Sequence, residues 1–193
     1  MPHYDDRLKL REALAVYFEA NNFGEDGGYN DKWVTGKFGP MPFAFPNTKA
    51  RRRAVRLHDL HHLITGYDTD AVGEGEISAW EVAGSCSDHW AAWFLNLNAM
   101  CVATLFDRRA IWLAFLRGRH SRNYYSRGIE DQLMETSLEA ARRELLAQEN
   151  SFVATTADRM TFVGWWTLGL LLVVVQLALL AAPFVWLGSF LFS

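Results

Sequence analysis

Beyond Arg159 the chain carries no charged side chain up to Ser193. Residues 162–182 of that stretch read FVGWWTLGLLLVVVQLALLAA. A helix needs about 20 largely apolar residues to cross a bilayer core of about 30 Å, and this run supplies them. Trp165 and Trp166 near its start suit the membrane–water interface. So long an uncharged run is costly to keep inside a soluble domain. The sequence therefore predicts one C-terminal membrane helix, interrupted at Pro183 and followed by a short apolar tail. Arg159, with Arg142 and Arg143 upstream, puts the larger N-terminal part on the cytoplasmic side by the positive-inside rule. The expectation is a single-pass protein of the inner (cytoplasmic) membrane.

The rest of the chain has the composition of one compact domain. Half of the 193 residues are apolar, with eight tryptophans and thirteen phenylalanines to fill a core. We expect that domain over residues 1–150, with residues 151–193 forming a linker, the membrane helix and the tail. A net charge of −3 argues against nucleic acid as a partner. The first residues, MPHYDDRLKLREALAVYF, bring acids early and lack the apolar stretch of a signal peptide. Cys86 and Cys101 read as free thiols, because on one helix they would stand about 22 Å apart.

Apolar periodicity marks helices through most of the domain and no convincing strand, so the fold class is all-α. Asp5 and Asp6 can cap a helix to about residue 20, with Leu10, Leu14, Tyr17 and Phe18 as its stripe. Residues 21–47, with GEDGG and FGPMPFAFP, read as a long irregular region. Residues 49–65 form a helix that begins basic and ends in histidines, with Gly66 as its stop. Another helix starts near Glu74. Residues 90–106 are uncharged, with Asn96 and Asn98 as polar interruptions, and Asp107-Arg108-Arg109 breaks the run. Residues 130–148 are amphipathic, with Glu139 and Arg143 paired at i, i+4.

The chemistry concentrates in residues 57–81, LHDLHHLITGYDTDAVGEGEISAWE. Histidine and carboxylate are the donor set of zinc and other borderline divalent metals. On a helix His58 and His62 leave one face a turn apart, Asp59 borders that face, and Glu74 can close the site from the next helix. His58, Asp59, His62 and Glu74 are the ligands this pattern selects, with His61 as a reserve or supporting group. Residues 57–107 hold eight acids (Asp59, Asp68, Asp70, Glu74, Glu76, Glu81, Asp88, Asp107) and no lysine or arginine, a balance that a bound cation would help to restore. Both cysteines lie outside the cluster. That favours a site with an exchangeable position over a closed structural one. Glu81 and Asp88 follow Glu74 at intervals of seven, two helical turns each, and could continue down one face; Glu81 can then be a supporting carboxylate or proton acceptor, or a solvated or ion-paired residue. His89 reads as a satisfied, partly buried residue. The basic runs at 49–56 and 117–127 suit anionic headgroups or phosphate, or plain solvation.

At these residues the chain resembles the Coq-four family of ubiquinone (coenzyme Q) biosynthesis proteins. The family's motif is His-Asp-x-x-His, eleven further residues, then Glu, and His58, Asp59, His62 and Glu74 meet it. The intervening LITGYDTDAVGE is similar too, and the likeness covers roughly residues 50–146. The resemblance implies a mostly helical fold, a divalent metal taken to be zinc on those four residues, and a polyprenyl lipid along the helix from Trp90. It implies action on the prenylated benzoquinone precursor, at the ring carbon that loses its carboxylate and is hydroxylated. It also implies a role in organising the other quinone-biosynthesis proteins on the membrane. A homo-oligomer is a further partner state we allow for. Residues 21–47 and the membrane helix depart from the family's common core.

The expected chemistry is metal-dependent decarboxylation, with His61 or Glu81 moving a proton. The rival is a prenyl-lipid-binding scaffold with a structural metal. An HD-type phosphohydrolase would need a histidine ligand ahead of the His-Asp pair, where His3 alone stands, and a di-iron hydroxylase would need more histidine boxes than this one.

Overall fold

The computed structural model describes residues 4–38, 41–129, 131–146 and 153–191. Within them run α1 (Leu10–Asn21), a hairpin of β1 (Trp33–Phe38) and β2 (Met41–Pro46), α2 (Lys49–Thr65), α3 (Ala71–Gly84) and α4 (Trp90–Arg119). A 3-10 turn (Tyr124–Ser126) then leads to α5 (Asp131–Met134), α6 (Leu138–Leu145) and α7 (Thr156–Leu191). The fold is helical, as its apolar periodicity predicts.

The hairpin corrects the irregular reading over residues 33–38 and 41–46, whereas residues 22–32 are the turns and irregular backbone expected. It is antiparallel, with Trp33 opposite Pro46 and Phe38 opposite Met41. Its β-branched and aromatic residues favour pleated backbone, and a two-stranded sheet has only edge strands, where proline is tolerated. Prolines and glycines had hidden that alternation.

Helix α2 matches its predicted bounds because its ends are chemically marked. The Thr48 hydroxyl accepts the Arg51 N–H at the start, and Gly66 ends the helix at φ 83°, a left-handed geometry that glycine adopts without strain. Two arginines from elsewhere in the chain take up the last carbonyls. Arg142 donates to Leu63 O at 2.8 Å and Ile64 O at 3.2 Å, and Arg117 donates to Thr65 O at 2.9 Å. The histidine-bearing turn is thus clamped at its C-terminal end.

Helix α3 lies between the two limbs of α4. Asp107 breaks α4 with non-helical φ −148° and ψ 90°, and its carboxylate caps the second limb at the N–H groups of Arg109 (2.9 Å) and Ala110 (3.0 Å). A Cβ at Gly75 would stand 2.0 Å from Ala103 on one limb and 2.7 Å from Ile111 on the other. Asp70 caps α3 through the N–H groups of Val72 and Gly73, so this helix begins a few residues earlier than Glu74.

Two further differences have local causes. Helix α1 starts at Leu10 rather than Asp5, because the Asp5 carboxylate is taken by the Arg7 N–H and Asp6 pairs with Arg142. The amphipathic run from 130 divides into α5 and α6, because Ser137 caps α6 through the Ala140 N–H and bridges Lys9.

Helix α7 is long and apolar enough to cross a membrane. The most apolar window within Thr156–Pro183 has a mean hydropathy of 2.1, and only 6% of that window is buried, which separates it from an ordinary core helix. It runs on through Pro183 rather than stopping there, as helices in apolar surroundings tolerate. One side docks on α4. Trp165 stacks on Trp93 with ring centroids 4.7 Å apart, Trp166 Nε1 donates to Thr104 Oγ1, and Gln176 donates to Asn98 Oδ1 at 2.7 Å. Cys86 and Cys101 are free and buried.

Candidate metal centre

Three donor groups converge where α2 faces α3. His58 Nε2 and His62 Nε2 are 3.2 Å apart. Glu74 brings Oε2 to 3.3 Å from the first and Oε1 to 3.4 Å from the second. Two nitrogens bound at about 2.0–2.1 Å to a tetrahedral ion stand about 3.3 Å from each other, so the spacing fits a divalent metal.

The far side of each ring fixes its tautomer. His58 Nδ1 donates to Glu81 Oε2 at 3.0 Å, and His62 Nδ1 donates to the Tyr67 carbonyl at 3.0 Å. In neutral rings both Nε2 lone pairs then point into the same small space, an arrangement that calls for a cation or a proton between them. A carboxylate or carbonyl behind each histidine is the usual support of a metal-bound imidazole. The residues present therefore fit a divalent ion.

Glu81 is the hub of the site, ion-paired with His58 and His61 and not solvated. It is fully buried, and beside His58 it receives His61 Nδ1–H at 2.6 Å, the Tyr125 hydroxyl at 2.9 Å and the Asn96 amide. Burial alone would raise its pKa, but His58 and His61 outweigh burial and hold the carboxyl well below its ordinary range. Burial likewise opposes charge on His58, and Glu81 and Glu74 overcome it, so the His58 pKa is raised. Glu74 is pulled down to about 2, because burial, which would raise it, is outweighed by the adjacent His58 and His62.

Three sequence candidates lie outside the convergent trio. Asp59 stands apart from it, and its carboxylate accepts the Tyr29 hydroxyl at 2.5 Å. Burial raises its pKa. His61 is fully buried and uses both ring nitrogens, Nδ1 on Glu81 and Nε2 as acceptor of the Tyr124 N–H at 3.0 Å; burial lowers its pKa. Asp88 is exposed and paired with Arg53, so the carboxylates at 74, 81 and 88 do not continue down one face. Tyr29, Asn96 and Tyr125 were missed from sequence. Of these only Asn96 had a signal, since a polar residue inside an apolar helix needs a buried partner.

His58 and Glu74 border a cavity of about 520 Å³ between α2, α3, α4 and the hairpin. Ala54, Val55, Ala92, Leu95 and Ala99 give it an apolar wall, Trp33 and Phe45 line it from the hairpin, and Asp59 and Tyr125 also reach it. The trio is thus three protein donors beside open space, the pattern of catalytic metal sites. Tyr29→Phe tests the Asp59 anchor. Leaving that buried carboxylate without its donor is expected to cost about 1.5–3 kcal/mol, measured by thermal unfolding.

No family model matches the chain, and no curated protein or solved structure matches it either.

Proposed function

We propose that this chain is a metal-dependent enzyme of ubiquinone synthesis, of the Coq-four kind, that removes the ring carboxylate from a prenylated aromatic precursor. The observation that carries the reading is the trio His58, His62 and Glu74, open on one side to a cavity with an apolar wall. The metal is taken as zinc from the resemblance and the donor set. Zinc, when bound, supplies Lewis-acid stabilisation of negative charge developing on a ring oxygen.

The protein's own part is positioning and proton movement. The apolar wall holds the start of the prenyl chain, and the hairpin aromatics shield the ring from water. The bond between ring carbon and carboxylate breaks, carbon dioxide leaves, and the electron pair on the ring carbon takes up one proton. Tyr125, on the cavity wall with its hydroxyl on Glu81, is the route for that proton, and His61 holds a further one on Glu81. The domain works at the membrane carrying α7, on the cytoplasmic face, beside other quinone-biosynthesis proteins.

Elemental analysis of the detergent-purified chain is expected to give near-stoichiometric metal that His62→Ala abolishes. Carbon dioxide release from a prenylated hydroxybenzoate is expected to vanish in Glu74→Ala together with the metal. Full turnover by metal-free Glu74→Ala would sink the catalytic reading. The apolar wall also suits a prenyl-lipid scaffold with a structural metal. In that case Ala99→Trp abolishes function with metal retained, and the wild type releases no carbon dioxide.

A further inference from the structure

The opposite face of α2 carries a second groove, of about 690 Å³. Lys49, Arg52, Arg53 and Arg56 line it, at i, i+3, i+4 and i+7, so the four cations share one helix face. Like charges so placed repel, and the N-terminal end of the helix dipole adds positive potential. Compensation is sparse. Arg53 is paired with Asp88 at 3.1 and 3.3 Å, and Arg56 lies over the Tyr29 ring, 5.2 Å from its centroid. Lys49 and Arg52 have no acidic partner among the described residues.

His89 belongs to the same groove. It is only 4% exposed, and neither ring nitrogen has a hydrogen-bond partner. Its Nδ1 is 3.2 Å from Asp88 Oδ1, but not in hydrogen-bonding alignment. Burial and the neighbouring Arg53 depress its pKa, so at neutral pH the ring offers one N–H donor and one acceptor. A buried donor without an acceptor is costly. Here it sits at the base of a cationic groove, where a ligand oxygen would satisfy it.

We infer that this groove is a binding site for a phosphate-type oxyanion, held by Lys49, Arg52 and the neighbouring arginines above His89. Guanidinium forks and an ammonium spread along one wall suit several oxygens on one centre better than a single carboxylate. The groove is too confined, and the chain too acidic overall, for the extended basic stripe of a nucleic-acid surface. Free phosphate and the phosphate of a lipid headgroup share this chemistry. The site is independent of the metal reading. It uses none of the three metal donors; Tyr29 lines the groove and Asp59 the metal cavity, and the two are hydrogen-bonded.

The test is calorimetric titration of the full chain in neutral detergent at constant ionic strength. The probes are inorganic phosphate, pyrophosphate and micelle-soluble dioctanoyl phosphatidate. The variants are Lys49→Ser/Arg52→Ser and, as an equal change of charge elsewhere, Arg108→Ser/Arg109→Ser. Circular dichroism and metal content check that both remain folded and loaded. Saturable binding is expected, weakened about tenfold or more (about 1.4 kcal/mol) by the first double change and unchanged by the second. Comparable affinity for phosphate and phosphatidate assigns the site to the free anion, and a strong preference for phosphatidate assigns it to a headgroup. No saturation by any probe overturns the inference, and so does equal weakening by both double variants.

Discussion

Replacing Glu81 with alanine is expected to lower the Tm by about 10 °C. Four donors end on this buried carboxylate, from His58, His61, Asn96 and Tyr125. Removing one member of a buried charged network costs about 3–5 kcal/mol, and about 2–4 °C is lost per kcal/mol in a protein of this size. Glu81→Gln keeps the shape but loses the charge behind His58, and is expected to weaken metal affinity about 10–100-fold. Thermal melts and metal titration check both. A pH series adds a signature. The folded Glu81 carboxyl is depressed below its ordinary 4.5, so its contribution is full above that value and is lost as pH falls through the folded value. Glu74, held at about 2, acts in the same direction between 4.5 and about 2, though its 41% exposed side chain makes that share small. The wild-type Tm should therefore fall more steeply on acidification below about pH 4.5 than that of Glu81→Ala. His58 has the opposite sense. Its raised pKa makes its stabilisation of the metal-free protein full below 6.5 and lost as pH rises through the folded value.

Gly118→Ala is the second large effect, and its sign runs against helix propensity. In an exposed helix the change would gain about 0.5–1 kcal/mol. Here a Cβ would stand 2.3 Å from the Trp80 carbonyl oxygen and 2.9 Å from the Ala83 Cβ. The first of these is backbone and cannot swing aside, so the second limb of α4 must lift from α3. Overpacking of this kind costs about 1–3 kcal/mol, and thermal unfolding should show a net loss. The displacement would reach the site. Trp80 packs edge-on against the His61 ring, with centroids 5.2 Å apart, and His61 is bound to Glu81. Metal affinity should fall with stability, although residue 118 touches no donor.

What could be read from sequence followed the range of the signals. Helix α2 was legible to the residue because Thr48 and Gly66 mark its ends locally. The pairing of His58 with His62 is one helical turn of arithmetic, and Glu74 needed only the assumption that the next helix folds back. Asp59, adjacent in sequence to His58, stands about 100° further round the helix, where its carboxylate meets the Tyr29 hydroxyl. Glu81 was recognised as a carboxylate of interest, but its partners come from α2, α4 and the turn at Tyr124, and no spacing reveals them. The hairpin stayed hidden because Pro42, Pro46 and Gly36 interrupt the alternation that marks a strand.

The docking of α7 decides how deep the domain rides. The apolar stretch Thr156–Pro183 is the same stretch whose Trp165, Trp166 and Gln176 are fastened to α4. Its other side displays Val163, Leu171, Val174 and Val175 to the surroundings. The first limb of α4 also shows apolar side chains outward. Phe94 is 41%, Phe106 65% and Leu105 83% exposed. Where α7 crosses a bilayer, that limb must go in beside it, like a keel fixed along the hull rather than an anchor on a chain. Its inner face, with Ala92, Leu95 and Ala99, is already a wall of the metal cavity. A lipid in the bilayer would then be one helix thickness from the three donors, and the waterline of the protein would run through its own helical domain.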